Sequence, residues 1–195
     1  MRNFGKAWAA LVVILAVSLV AGIGIFKWYI GGYNKAVRLS EGAKTAWADV
    51  DAVLQRRIDL VPNLVNTVKG YASHEKELFE NLAKSREKYF QAGGTAEKIA
   101  ASNELSGLLG RLMLLVENYP QLRASENFLA LQDQLEGTEN RISVARTRYN
   151  DAAKQLNAYT QEFFGSFFCR RANVAKVEYF EATEQAKTEV PQVKF

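Results

Sequence analysis

Apolar residues recur along this chain in two rhythms, and the change between them divides it. Residues 8–26, WAALVVILAVSLVAGIGIF, hold no charged position, with Lys6 before them and Lys27 after. About 20 apolar residues at ~1.5 Å rise each match the ~30 Å hydrocarbon layer of a bilayer. The pattern therefore predicts a short N-terminal segment, 1–7, and a transmembrane helix over 8–28. Downstream the apolar positions narrow to a stripe: Trp47, Val50, Leu54, Val61, Leu64, Val68, Tyr71, Leu78 and Leu82 fall on three- and four-residue steps, with Arg57 and Glu75 on the missing rungs. That period is helical and predicts one helix from near Asn34 to Gly93-Gly94. Pro62 lies inside it and should kink or loosen the backbone, because its ring removes a hydrogen bond.

Two further stripes follow. Ile99, Leu105, Leu109, Leu112, Val116 and Tyr119 form one, with Thr95 placed to cap its start and Pro120 to stop it. Phe128, Leu131, Leu135, Thr138, Ile142, Ala145, Tyr149, Ala152, Leu156, Tyr159 and Phe163 form the other. Each narrow stripe needs a neighbour, and short turns bring neighbours back antiparallel. The expected fold is all-α: an N-terminal transmembrane helix followed by a long antiparallel up-and-down helical bundle over 34–164. Gly31-Gly32 reads as a joint between the two. The tail, 165–195, carries a short helix over 179–187 ahead of Pro191. At its start Phe163, Phe164, Phe167 and Phe168 crowd around Gly165, with Arg170-Arg171 next, a patch suited to the membrane surface or, the favoured reading, to closing the end of the bundle.

A cleaved signal peptide would share the basic start, Arg2 and Lys6, but would need a small-residue cleavage site that the apolar run lacks. Trp8, Trp28, Tyr29 and Tyr33 flank the run, as aromatic side chains do at headgroup depth. Lys27, Lys35, Arg38 and Lys44 after the span outnumber the two basic residues before it, which favours a cytoplasmic body at the inner membrane. Ser18 and Gly22 have the small-residue spacing that lets spans pack closely.

Composition narrows the chemistry. The 25 Lys and Arg against 21 Asp and Glu, a net charge of +4, are spread without a basic run or aromatic platform, which argues against nucleic acid. Cys169 stands alone, so no intramolecular disulfide can form. The single histidine, His74 in SHEKEL, is not part of a zinc-binding H-E-x-x-H motif, because Leu78 stands where the second histidine must be. Phosphate-cradling glycine loops and triad components are missing, so no cofactor, metal, small-molecule substrate or enzymatic activity is expected. A sharper alternative makes His74 a phosphoryl acceptor on a bundle helix, in a phosphotransfer or sensory module.

Polar residues on or beside the stripes carry more information: Arg56, Arg57, Asp59, Asn63, Glu139, Asn140, Arg146 and Asn150. If Arg57 takes a core rung, its guanidinium must meet an acceptor such as Glu139, because an unpaired buried charge is severely penalised. Such residues either fix register between helices, the favoured reading, or form a partner-binding patch in a bundle groove.

The blocks AWADVD (46–51), Arg56-Arg57, DLVPNLV (59–65), VKGYASHE (68–75), NYPQLRASENFLALQDQLEGTENRI (118–142), Ala145-Arg146 and YNDA (149–152) resemble the LemA family of bacterial membrane proteins. The resemblance implies an N-terminal span, a short N-terminus outside the cell and a helical bundle inside it, and brings no agreed biochemical activity. Gly137 and the aromatic, basic segment 163–171 depart from the family pattern. The functional expectation is a non-enzymatic, single-pass scaffold or adaptor that holds protein partners, or copies of itself, at the bilayer. A third reading is an oligomeric membrane-remodelling protein.

Overall fold

A computed structural model of the protein describes residues 4–181, which form helices and no strand. The helices are α1 (Phe4–Lys69), α2 (Lys76–Gln91), α3 (Thr95–Val116), α4 (Pro120–Arg123), α5 (Glu126–Gln161) and α6 (Phe163–Arg171). They belong to two compact units, one built from Met1–Gly42 with Gln155–Val177 and the other from Ala43–Lys154 with Glu178–Phe195.

The second unit is the bundle. Trp47 meets Tyr149 at 5.3 Å between ring centroids and Arg57 reaches Glu139, so α1 and α5 pair with opposite directions. Asp51 meets Tyr89 while Lys69 lies over the Phe79 ring, which sets α2 antiparallel to α1 as well. Asp51 with Lys98 and Arg57 with Ser102 rise together, so α3 runs parallel to α1. The order is up, down, up, down. Its core draws on the predicted stripes: Val50, Leu54, Leu64, Val68, Leu82, Leu105, Leu112 and Phe128 are buried, whereas Tyr71 and Phe163, also expected on them, are exposed. The apolar composition of α3 would suit a membrane span, but 44% of its most apolar stretch is buried within the protein, which makes it a core helix.

The helix expected from residue 34 to 93 is broken after Lys69. Gly70 is a poor helix former, and the Val68 carbonyl accepts both Tyr71 N (3.0 Å) and Ala72 N (2.9 Å), which turns the chain. The stripe then restarts in a new phase on Ala72, Phe79, Leu82, Ser85 and Tyr89, all buried, while Tyr71 is exposed. Pro62 lies within α1, which continues past it to Lys69. Thr95 is the first residue of α3 and does not cap it. The cap position is Gly94, and the Glu97 carboxylate accepts the Gly93 N–H at 2.7 Å instead. Pro120 opens α4 at its first turn, where a missing N–H costs nothing.

In the first unit α1 passes through Gly31-Gly32 without a joint. Leu15, Val20 and Phe26 are 63%, 70% and 63% exposed, so among the described residues nothing covers this apolar stretch, whose length and composition are those of a membrane span. Ala36, Tyr159, Phe168 and Cys169 form a small core, with Leu39, Ala172 and Val174 packed on it. The Tyr159 hydroxyl donates to the Gly32 carbonyl at 3.0 Å, and Lys35 lies 4.3 Å from the centre of the Tyr159 ring. A Cβ on Gly32 would strike the Phe168 ring, whereas one on Gly31 would meet nothing. The pair is therefore a place of close approach, with Gly32 making the room. Beyond α6 the chain is extended from Val174, including Tyr179 to Glu181; the rest of the helix expected over 179–187 lies outside the described residues.

These surroundings give opposite signs to two similar changes. Gly32→Ala should destabilise the first unit through its clash with Phe168, while Gly137→Ala, on an open and exposed helix face, should stabilise by about 1 kcal/mol. Thermal melts of each full-length variant in detergent, followed by helical circular dichroism, would show whether Gly32→Ala lowers and Gly137→Ala raises the midpoint.

Candidate functional site

Within the bundle two polar nodes join the helices. Arg57 follows Leu54 on the stripe of α1, so its side chain enters the core and is 3% exposed. Its Nη1 donates to Glu139 Oε2 on α5 at 2.9 Å, and its Nη2 donates to the carbonyl (3.1 Å) and hydroxyl (2.7 Å) of Ser102 on α3. Its Nε is buried without a described acceptor. Burial lowers the Arg57 pKa from its ordinary value, and the Glu139 carboxylate opposes that shift. Glu139 itself is largely in water, its side chain 63% exposed. The pair thus links the core to the surface.

The second node centres on Asp51. Its carboxylate accepts the Tyr89 hydroxyl of α2 and, at 2.7 and 2.8 Å, the Lys98 ammonium of α3. Burial raises the Tyr89 pKa well above its ordinary value, and the hydrogen bond to Asp51 and the charge there raise it further. Nearby, the fully buried Ser85 hydroxyl donates to the Ala101 carbonyl at 3.3 Å. Nothing in the residue pattern singled out Asp51, Ser85, Tyr89, Lys98 or Ser102. Asp51 lies one position past Val50 of the stripe, and that adjacency was the available signal.

Beside the Arg57 node lies a cavity of 360 Å³ between α3, α4 and α5. Leu109, Phe128 and Leu135 supply apolar wall, and Arg123 and Glu136 are exposed beside it. Its chemistry suits an apolar group carried on a polar frame.

The eight residues singled out by pattern separate into three sets. Arg57 and Glu139 pair. Arg146 and Asn150 turn to the extended tail: Asn150 Nδ2 donates to the Phe180 carbonyl at 3.0 Å, its Oδ1 accepts the Phe180 N–H at 2.8 Å, and the Arg146 guanidinium lies 5.9 Å from the Phe180 ring centre. Arg56, Asp59, Asn63 and Asn140 are exposed and do not join the Arg57 node. In the same unit the Tyr149 hydroxyl donates to the Glu178 carbonyl at 2.6 Å, and burial raises its pKa. Residues 157 and 177 repeat the grip in the first unit, where Asn157 donates to the Val177 carbonyl at 2.8 Å and accepts its N–H at 3.0 Å.

His74 is exposed in the turn between α1 and α2, so it does not sit on a bundle helix as a phosphorylated helical histidine would. Among the described residues, no group of three or more His, Cys, Asp or Glu is placed to hold a metal ion. Cys169 is buried, which raises its thiol pKa and blunts its reactivity.

The sequence profile of the LemA family matches residues 46–195, most of the chain. The protein belongs to the LemA family. It is similar to the magnetosome protein MamQ of Magnetospirillum gryphiswaldense, at 24% identity over 98% of this chain and 80% of that protein. Magnetosome protein MamQ 2 of Paramagnetospirillum magneticum is 25% identical over 93% of this chain and 75% of its own length. The protein LemA of Metamycoplasma hominis is 23% identical over 86% and 78%. Both polar nodes and the cavity fall inside the span matched by the LemA profile, and the exposed apolar stretch of α1 precedes it.

Removing one partner of a buried charge costs more than removing the charge itself. Glu139→Ala should destabilise the LemA bundle by about 1–3 kcal/mol, because it strips Arg57 of its carboxylate while water at the exposed end compensates in part. Arg57→Met, which removes the charge, should cost less. Denaturant titrations of both variants test the order.

Tyr89 gives a pH dependence of known sign. Its folded pKa lies above the ordinary ~10, so its contribution to stability is complete below pH ~10 and is lost as pH rises from there through the folded value. Wild-type stability should therefore fall more steeply than that of Tyr89→Phe across pH ~9 to ~11, and parallel curves would show that the hydroxyl has no such role.

Proposed function

We propose that this LemA protein is a non-enzymatic scaffold or adaptor, anchored in the inner membrane by a single pass of α1, with its bundle in the cytoplasm. One observation carries the reading: α1 is unbroken from an apolar stretch that none of the described residues covers to a stripe that forms the bundle core. A tether of this kind raises the effective concentration of whatever the bundle holds, without any chemistry of its own. The excess of basic residues after the span favours the cytoplasmic side. The polar core side chains serve one another, which leaves the cavity beside Arg123 and Glu136 as the site for an apolar side chain of a protein partner. Relatives named for a magnetosome and one named only for the family align over most of this chain, which supports a role set by the partner.

A photo-crosslinking amino acid at Gln132, on the cavity wall, and another at the distant exposed Arg148 provide the test in intact cells. Mass spectrometry should identify the same protein adduct repeatedly at position 132, lost with Arg123→Glu and weaker at 148. Equal, promiscuous adducts at both positions, or none at 132, would defeat the scaffold reading.

A further inference from the structure

The face of α6 is assigned by neither the bundle nor the anchor. Helix α6 buries Gly165, Phe168 and Cys169, but leaves Phe163 84%, Phe164 55% and Phe167 38% exposed. Scattered apolar residues are ordinary on a protein surface; three phenylalanines within five positions of one short helix form a patch that needs a cover. Their neighbours say what kind. Trp28 meets Phe164 at 5.2 Å and Phe168 at 5.0 Å, and Tyr29 meets Phe167 at 6.4 Å and Phe168 at 5.8 Å, all edge to face. Trp28 stands two residues past Phe26, the last residue of the apolar run, with Lys27 between them. At ~1.5 Å rise per residue, α6 is docked on α1 within a few ångström of where the run ends. Gly32 is kept bare of a side chain so that Phe168 can approach this closely.

We propose that α6 is a second membrane contact, an interfacial helix whose Phe163, Phe164 and Phe167 enter the headgroup region of the leaflet that α1 leaves. The inference rests on the anchoring of α1 argued above. Continuity with the span selects the bilayer as occupant, because rings packed on Trp28 and Tyr29 share the depth at which interfacial aromatics sit. Charge agrees: Arg170 and Arg171 end the helix exposed, and with Lys27 they offer cationic groups to anionic headgroups. The Arg171 guanidinium lies 5.9 Å from the Phe167 ring centre, which places positive charge beside the inserted rings. On this proposal the exposed phenylalanines lie against lipid.

Spin labels on single cysteines in a Cys169→Ser background test this in the full chain, reconstituted in vesicles of phosphatidylcholine with phosphatidylglycerol. Labels at Leu15→Cys, Phe163→Cys and Arg148→Cys report the span, α6 and the bundle surface through their exposure to oxygen, which partitions into lipid, and to a water-soluble nickel chelate. Positions 15 and 163 should favour oxygen and position 148 the chelate. A lipid-facing 15 with a water-facing 163 overturns the α6 contact and leaves the anchor standing; a water-facing 15 overturns the anchor, and the α6 contact with it. Dipolar broadening between labels at 163 would mean that a second copy covers the patch, and also overturns the inference. On the unaltered chain, a phospholipid carrying a photoactivatable group near its glycerol should label the peptide containing 163–167; adducts confined to the span would count against it equally.

Discussion

A guanidinium in the middle of an apolar stripe constrains everything built around it. Arg57 occupies a core rung of α1, so its charge cannot reach water by a change of rotamer without emptying that rung. Apolar surfaces attract without direction and tolerate a slip of one turn. A planar fork of donors does not, because its acceptors must lie in its plane and within about 3 Å. Ser102 and Glu139 meet that requirement from two different helices, and Asp51, six residues earlier on α1, collects Tyr89 and Lys98 from α2 and α3. A slip of one turn in α3 would strip acceptors or donors from both nodes at once.

Core polar groups that bond mainly to one another leave little for a ligand to recognise in the core itself. What the bundle can present is relief and charge at its surface, as at the cavity beside Arg123 and Glu136.

The helical class and its stripes were legible because burial imposes a period that survives in the residue order: Val50, Leu54, Leu64 and Val68 could be read from spacing alone. Arg57 was legible for the opposite reason, as a charge on an apolar rung that had to find an acceptor. Asp51, Lys98 and Ser102 were not, since their meaning depends on which helices pack, and a polar residue beside a stripe looks the same whether it meets water or a neighbour. Arg56, Asp59, Asn63 and Asn140 illustrate the solvated outcome. The break at Gly70 was hidden because Tyr71 and Leu78 happen to continue the count, while the chain turns and restarts on Ala72 and Phe79. Gly31-Gly32 misled differently: a residue that makes room for a ring and one that loosens a helix are both glycine, and only the Phe168 ring distinguishes them.

The extended tail after α6 is gripped by asparagine amides acting on peptide groups, at Val177 by Asn157 and at Phe180 by Asn150. An amide side chain offers one donor and one acceptor, the complement of a single residue's N–H and C=O, so it pairs as an adjacent β-strand would. A hold of that type ignores what the gripped residue carries on its Cβ. At half-buried Val177, evolution can therefore exchange side chains widely, and proline, which has no N–H to give, is the replacement that the hold forbids.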